Sequence, residues 1–167
     1  NQDEMHVWLT SIGEILPIQS GSRLMRTGML ADELSSRGHS VTWWASTFSH
    51  QMKSVLYHQD TVLMPNEKLS LRLLMSGGYR GNISVKRLIH HKRLARRVKK
   101  EIGNHPAPDI IVAAFPTIEF AYEAVMYAKS RSIPIIVDIR DLWPDTFLER
   151  SPNFLKPIAR YLLWREI

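Results

Sequence analysis

The residues best equipped for chemistry stand in one short stretch, Asp138-Ile139-Arg140-Asp141-Leu142-Trp143-Pro144-Asp145. A carboxylate there can orient a hydroxyl and take up its proton as a new bond forms. Asp141 is the first candidate for that work and Asp138 the second. Arg140 has the planar fork that suits phosphate, and Trp143, beside Pro144, offers an aromatic face for stacking. In the opposing reading Asp138 and Asp141 cap the next segment and pair with Arg140. Residue types and spacing leave both readings open.

A second candidate is the stretch from Ser11 to Ser22, where Gly13 and Gly21 allow backbone amides to approach a diphosphate. Gly21 serves equally well as a simple turn residue. Arg23 and Arg26 follow one turn apart at the start of a predicted helix, where they either add positive charge to that site or stand as ordinary surface residues. The G-x-G-x-x-G spacing is missing, and Trp43-Trp44-Ala45-Ser46 stands where a ribose-binding acid would close the second strand; both argue against a dinucleotide site. The absence of G-x-x-x-x-G-K-[ST] sets aside a P-loop hydrolase.

The net charge of +6 is concentrated, since Lys86, Arg87, Lys92, Arg93, Arg96, Arg97, Lys99 and Lys100 fall in one stretch. Such a patch attracts a polyanion, whether nucleic acid, anionic lipid or a diphosphate-bearing substrate, or else it is a solvated helix face. His90-His91 have no acidic or histidine partner three or four positions away, so no metal site is expected. His39 reads as a local turn partner, and Trp43 and Trp44 as packing residues. With no cysteine, disulfides, thiolate nucleophiles and zinc-thiolate sites are all excluded. No apolar run approaches the roughly 20 residues that cross a bilayer, and the polar, acidic start is unlike an export signal, so a cytoplasmic domain is expected.

The elements that must position these residues follow from hydrophobic period. Strands are predicted at Met5–Thr10, Ser40–Ala45, Thr61–Met64, Leu69–Met75, Asp109–Ala114 and Pro134–Asp138, with Pro65-Asn66 as a turn. Helices are predicted at Ser22–Arg37, stopped by Gly38, then at Ser84–Ile102, Ile118–Arg131 and Leu155–Ile167, with a glycine-rich loop from Ser76 to Asn82. The apolar runs at Asp109–Ala114 and Pro134–Asp138 carry the mark of interior parallel strands. This alternation predicts an α/β fold with a Rossmann-like, doubly wound and mostly parallel sheet. At 167 residues, one domain spanning 1–167 is expected.

Two segments resemble a known family. Gly13 to Ser22, followed by Arg23, Met25-Arg26, Leu30-Ala31, Leu34 and Arg37-Gly38-His39-Ser40-Val41-Thr42, is similar to the opening of the family 4 glycosyltransferases. Asp138 to Asp145 is similar to the D-x-x-D-L-W-P stretch of bacterial members that build surface polysaccharides, and Tyr79 to Asn82 before the basic helix fits those members. The resemblance runs from about Val7 to Trp164. It implies the N-terminal, acceptor-side half of a GT-B architecture, and transfer from a nucleotide-sugar donor with retention of configuration. No metal or other cofactor is implied.

The implied acceptor is a glycan or a polyprenyl-diphosphate-linked sugar, with Gly13, Gly21, Arg23, Tyr79, Arg140 and Trp143 as substrate-binding residues. Lys86, Arg87, Lys92, Arg93, Arg96 and Arg97 would then face the anionic inner leaflet of a membrane. Many members carry His-Asp where this chain has Arg140-Asp141, so the histidine's role does not transfer. The family's Glu-x7-Glu donor motif has no counterpart, so a truncated half without the nucleotide-sugar domain, inactive by itself, is expected. The competing expectation is a non-catalytic module that binds nucleic acid or another polyanion through the basic helix; the lack of interleaved aromatics weighs against nucleic acid.

Overall fold

The computed structural model describes residues 3–18, 23–78, 85–115 and 117–140, the side chains of 85–88 excepted. In chain order the elements are β1 (His6–Thr10), α1 (Arg26–Ser36), β2 (Ser40–Ser46), β3 (Phe48–Ser49), β4 (Ser54–Val55), β5 (Thr61–Asn66), β6 (Leu69–Leu74), α2 (Val85–Ile102), β7 (Ile110–Phe115), α3 (Ile118–Arg131) and β8 (Ile135–Ile139). Six strands form one sheet in the order β5-β6-β2-β1-β7-β8, with β3 and β4 a separate hairpin. All neighbours in the large sheet pair in parallel except β5, which runs antiparallel to β6. The fold is the expected Rossmann-like α/β class. Strand order reverses between β1 and β7, which makes the carboxyl ends of those strands the topological switch point.

Alternation along β1 sends Val7 and Leu9 to one face and Trp8 to the other. The first face packs with Val41, Trp43 and Leu71 beneath Ala31, Leu30 and Leu34 of α1. The second holds Trp8, Trp44 and Ile111 beneath Leu94 and Val98 of α2 and Phe120 and Ala124 of α3. Trp8 meets Trp44 edge-on at 5.4 Å between centroids and stacks on Tyr127 at 5.3 Å. Rings of this size bury about 150–250 Å² each, worth on the order of 4–6 kcal/mol apiece before entropy is counted. The two tryptophans of β2 are therefore core, one for each face.

Two expectations need correction. The first helix begins at Arg26 instead of Ser22, because Met25 is extended and a first-turn amide, that of Thr27, goes to the Glu14 side chain; Arg23 thus precedes the helix. Pro65 and Asn66 lie inside β5, which tolerates proline as an edge strand with a register irregularity between Leu63 and Asn66. The turn follows them, where Lys68 donates its amide to the Asn66 side chain at 2.9 Å. The β3–β4 hairpin was not predicted, since two-residue strands carry no period. Among the described residues β8 pairs with β7 alone, and its Ile136 and Ile139 are exposed.

Gly38 ends α1 at φ +90°, a left-handed position where a side chain is strained, and its amide bonds back to Ser35. Among the described residues no helix is long and apolar enough to cross a membrane.

Candidate functional site

The carboxyl ends of β1 and β8 are joined by a network of two arginines and two carboxylates. Glu14, in the loop after β1, has a side chain only 4% exposed. It accepts the Ser11 hydroxyl at 3.1 Å, the Thr27 amide at 2.9 Å and the Thr27 hydroxyl at 2.5 Å. A carboxylate in that place caps the first turn of α1 and meets the positive end of the helix. Its remaining partner is Arg140, whose Nη1 donates to Glu14 Oε1.

Arg140, just past β8, uses its other nitrogens as well. Nη2 donates to the Thr27 hydroxyl and Nε to Asp138 Oδ2, both at 2.8 Å. Asp138, on the last turn of the pleat of β8, accepts Arg26 Nη1 of α1 on its second oxygen at 2.6 Å. Ala114 of β7 is the register partner of Asp138 and lines one hollow with Arg26, Thr27 and Arg140.

Electrostatics fix the charge states. Burial works against the charge on Asp138, but hydrogen bonds from Arg140 and Arg26 outweigh it and hold the carboxyl below the usual carboxylate range. Burial also works against Arg140, and its bonds to Glu14 and Asp138 more than compensate, raising its pKa further. An anionic Asp138 gripped by two guanidiniums is a weak base, better suited to orienting a donor group than to removing a proton.

The structure brings Asp138 and Arg140 together, as the pairing alternative anticipated, and adds Arg26 to them. Gly13 lies in the same β1 loop at φ +87°, its carbonyl accepting Gln51 Nε2 at 2.5 Å. Arg23 borders a hollow shared with Arg26 and Arg140. Asp141, Gly21, Tyr79 and Trp143 lie outside the described residues. On α2, Lys92, Arg93 and Arg96 are exposed on one side. Arg97 instead pairs with Asp60 and donates to the Met75 carbonyl at 2.8 Å, so it belongs to the packing of α2 against the β6 end. Lys86 and Arg87 lie in the first turn of α2, and their side chains are outside the description.

Among the histidines, His39 accepts the Met5 amide at 3.3 Å, a contact across 34 positions to the start of β1 instead of the local turn bond expected from sequence. His90 bonds the Gly77 carbonyl, and burial lowers its pKa, with that carbonyl opposing the effect. His91 faces Glu119 of α3 at 3.9 Å, a partner that spacing within α2 does not offer. Among the described residues no three His, Asp or Glu side chains are grouped to hold a metal.

Glu14 and Thr27 are the site residues that the sequence reading passed over. Glu14 is the one carboxylate between Ser11 and Ser22, but it stands 13 positions before Thr27, so no capping spacing pointed to it.

No family model matches the chain, and no curated protein matches it. Among solved structures the chain is similar to the C-terminal domain of a hydrogenase from Pyrococcus furiosus, at 14% identity and a TM-score of 0.47, covering 83% of this chain and 95% of that one. A similarity of that degree carries no functional weight.

Proposed function

We propose that this chain is the acceptor-side half of a GT-B glycosyltransferase similar to family 4, which transfers a sugar from a nucleotide-sugar donor to a lipid-linked or glycan acceptor in cell-surface polysaccharide synthesis. One observation carries the reading. The Asp138–Arg140 pair, which belongs to the D-x-x-D-L-W-P resemblance, lies with Arg23 and Arg26 at the carboxyl ends of a parallel sheet, where open α/β folds bind ligands.

In this reading the acceptor hydroxyl lies near the ends of β1 and β8. Asp138 orients it, and Asp141 remains the candidate for taking its proton, because Asp138 is committed to two arginines. The donor is held by a second domain, and the partners are that donor, the acceptor and a membrane surface. Exposed Lys92, Arg93 and Arg96 suit a peripheral position on the cytoplasmic face of a bilayer, at about 1 kcal/mol for each well-placed cation.

The test is sugar transfer by the protein carrying its donor domain, assayed with a panel of nucleotide sugars and polyprenyl-diphosphate-linked acceptors. Asp141→Asn is expected to lower kcat about 10²-fold or more with the fold intact. Absence of transfer to every such acceptor, or full activity of D141N, would sink the reading.

A further inference from the structure

Three arginines border one open hollow of about 510 Å³ beside the first turn of α1, with Leu24, Met25 and Met29 completing its lining. They are not equivalent. Arg140 is 20% exposed and bonded to Glu14, Asp138 and Thr27. Withdrawing it would strand the buried Glu14 carboxylate, a costly outcome in a dry setting.

Arg26 is 63% exposed, and its one ion pair among the described residues is to Asp138. A pair that open is worth little and exchanges readily. Arg23 is exposed and has no carboxylate partner among the described residues. Among the described residues the carboxylates bonded to these arginines are Glu14 and Asp138, and they engage Arg26 and Arg140 alone.

We propose that the hollow binds a phosphate or diphosphate group through Arg23 and Arg26, with Arg26 leaving Asp138 to do so while Arg140 stays locked on Glu14. A phosphate offers more acceptor oxygens and more charge than one carboxylate oxygen, so it competes well for an exposed guanidinium. Loss of Arg26 leaves Asp138 still neutralised by Arg140, so the exchange strands no charge. Met25 and Met29, both well exposed, add an adaptable apolar surface beside the cations, suited to a chain or ring attached to the phosphate.

That chemistry is shared by a polyprenyl diphosphate and a nucleoside diphosphate. The choice between them rests on the glycosyltransferase reading, whereas the anion site does not; its test needs no transfer activity, so the two can fail separately.

The experiment uses the 167-residue chain, titrated with inorganic pyrophosphate at low salt by calorimetry and by NMR of the arginine guanidinium signals. Saturable binding is expected, with the Arg26 Nε–H signal moving and that of Arg140 staying in place. Arg26→Gln is expected to weaken binding about tenfold, the loss of one charge-assisted contact. Asp138→Asn is expected to tighten it by up to about fivefold, because the anion no longer competes for Arg26.

Circular dichroism and the urea midpoint of each variant separate lost binding from lost fold. A further arm compares geranyl diphosphate with uridine diphosphate. Tighter geranyl diphosphate, reduced by Met25→Ser with Met29→Ser, supports the site and assigns it to a lipid carrier; tighter uridine diphosphate supports it and assigns it to a nucleotide. No saturable binding, binding unchanged in R26Q, weakened binding in D138N, or movement of the Arg140 signal would each overturn the proposal.

Discussion

Arg140 and Glu14 stand 126 positions apart in the chain and form a buried ion pair that ties the loop after β1 to the end of β8. Thr27 shares both partners, giving its amide and hydroxyl to Glu14 and accepting Arg140 on the same hydroxyl. The start of α1, the first loop and the last described strand are therefore held by one set of bonds. Removing one member leaves another buried and unsatisfied.

That coupling sets the first prediction. Glu14→Gln keeps an acceptor for the Thr27 amide but loses the charge that Arg140 needs, and is expected to cost about 1–3 kcal/mol. Arg140→Gln leaves Glu14 buried without its cation and is expected to cost about 3–5 kcal/mol. In urea denaturation the double variant should fall short of the sum by about 1–3 kcal/mol. Additive losses would show that the pair does not act as a unit.

Acid should destabilise the fold in two windows. Burial lowers the pKa of His90, and burial together with the Arg72 charge lowers that of His105, so the folded chain resists their protonation and stability declines as pH falls below about 6.5. Asp138 is held ionised by its arginines, so its contribution is complete above about pH 4 and is lost as pH falls through its lowered folded value. Urea midpoints measured from pH 7 to pH 3 should flatten in the lower window only for Asp138→Asn. His105→Asn should flatten part of the upper one.

The two kinds of arginine on α2 should separate cleanly. Replacing Lys92, Arg93 and Arg96 with glutamine should weaken retention on anionic liposomes by about 3 kcal/mol at low salt, at about 1 kcal/mol for each residue. Arg97→Gln should leave liposome retention nearly unchanged and lower stability by about 1 kcal/mol or less, because Arg97 is spent on Asp60 and its ion pair is partly exposed. Co-sedimentation read beside thermal melting distinguishes the two outcomes.

Glycine positions differ in what they tolerate. A Cβ on Gly78 would sit 2.7 Å from the ring of the buried Phe48, so Gly78→Ala should cost about 1–3 kcal/mol through forced repacking. Gly77 has nothing within 4 Å of that position, and Gly77→Ala should be close to neutral. Equal denaturation midpoints for the two variants would contradict this packing.

Much of the fold was legible because its signals are local. The helical spacing of Leu88, Ala95, Val98 and Ile102, with Gly103 after them, placed the carboxyl end of α2, and Gly38 marked the end of α1 at φ +90°. Alternation and β-branched content located every strand of the large sheet to within about two residues. The start of α1 was misplaced because its cap is a tertiary one: Glu14 lies 13 positions from Thr27, beyond any capping-box spacing. Pro65 read as a turn because nothing local says that β5 lies at an edge.

The sequence by itself determined the α/β class, the order of the elements and the two segments that carry Gly13 and Asp138-Arg140, since period and turn chemistry act over a few residues. Only the tertiary structure decided what those charges do. It placed Glu14 under Arg140, set Arg26 on Asp138, paired Arg97 with Asp60 and left Arg23 without a carboxylate partner among the described residues. Pairing of charges depends on distance and burial, and the residues that meet at the strand ends come from segments more than a hundred positions apart, a relation that no local pattern encodes.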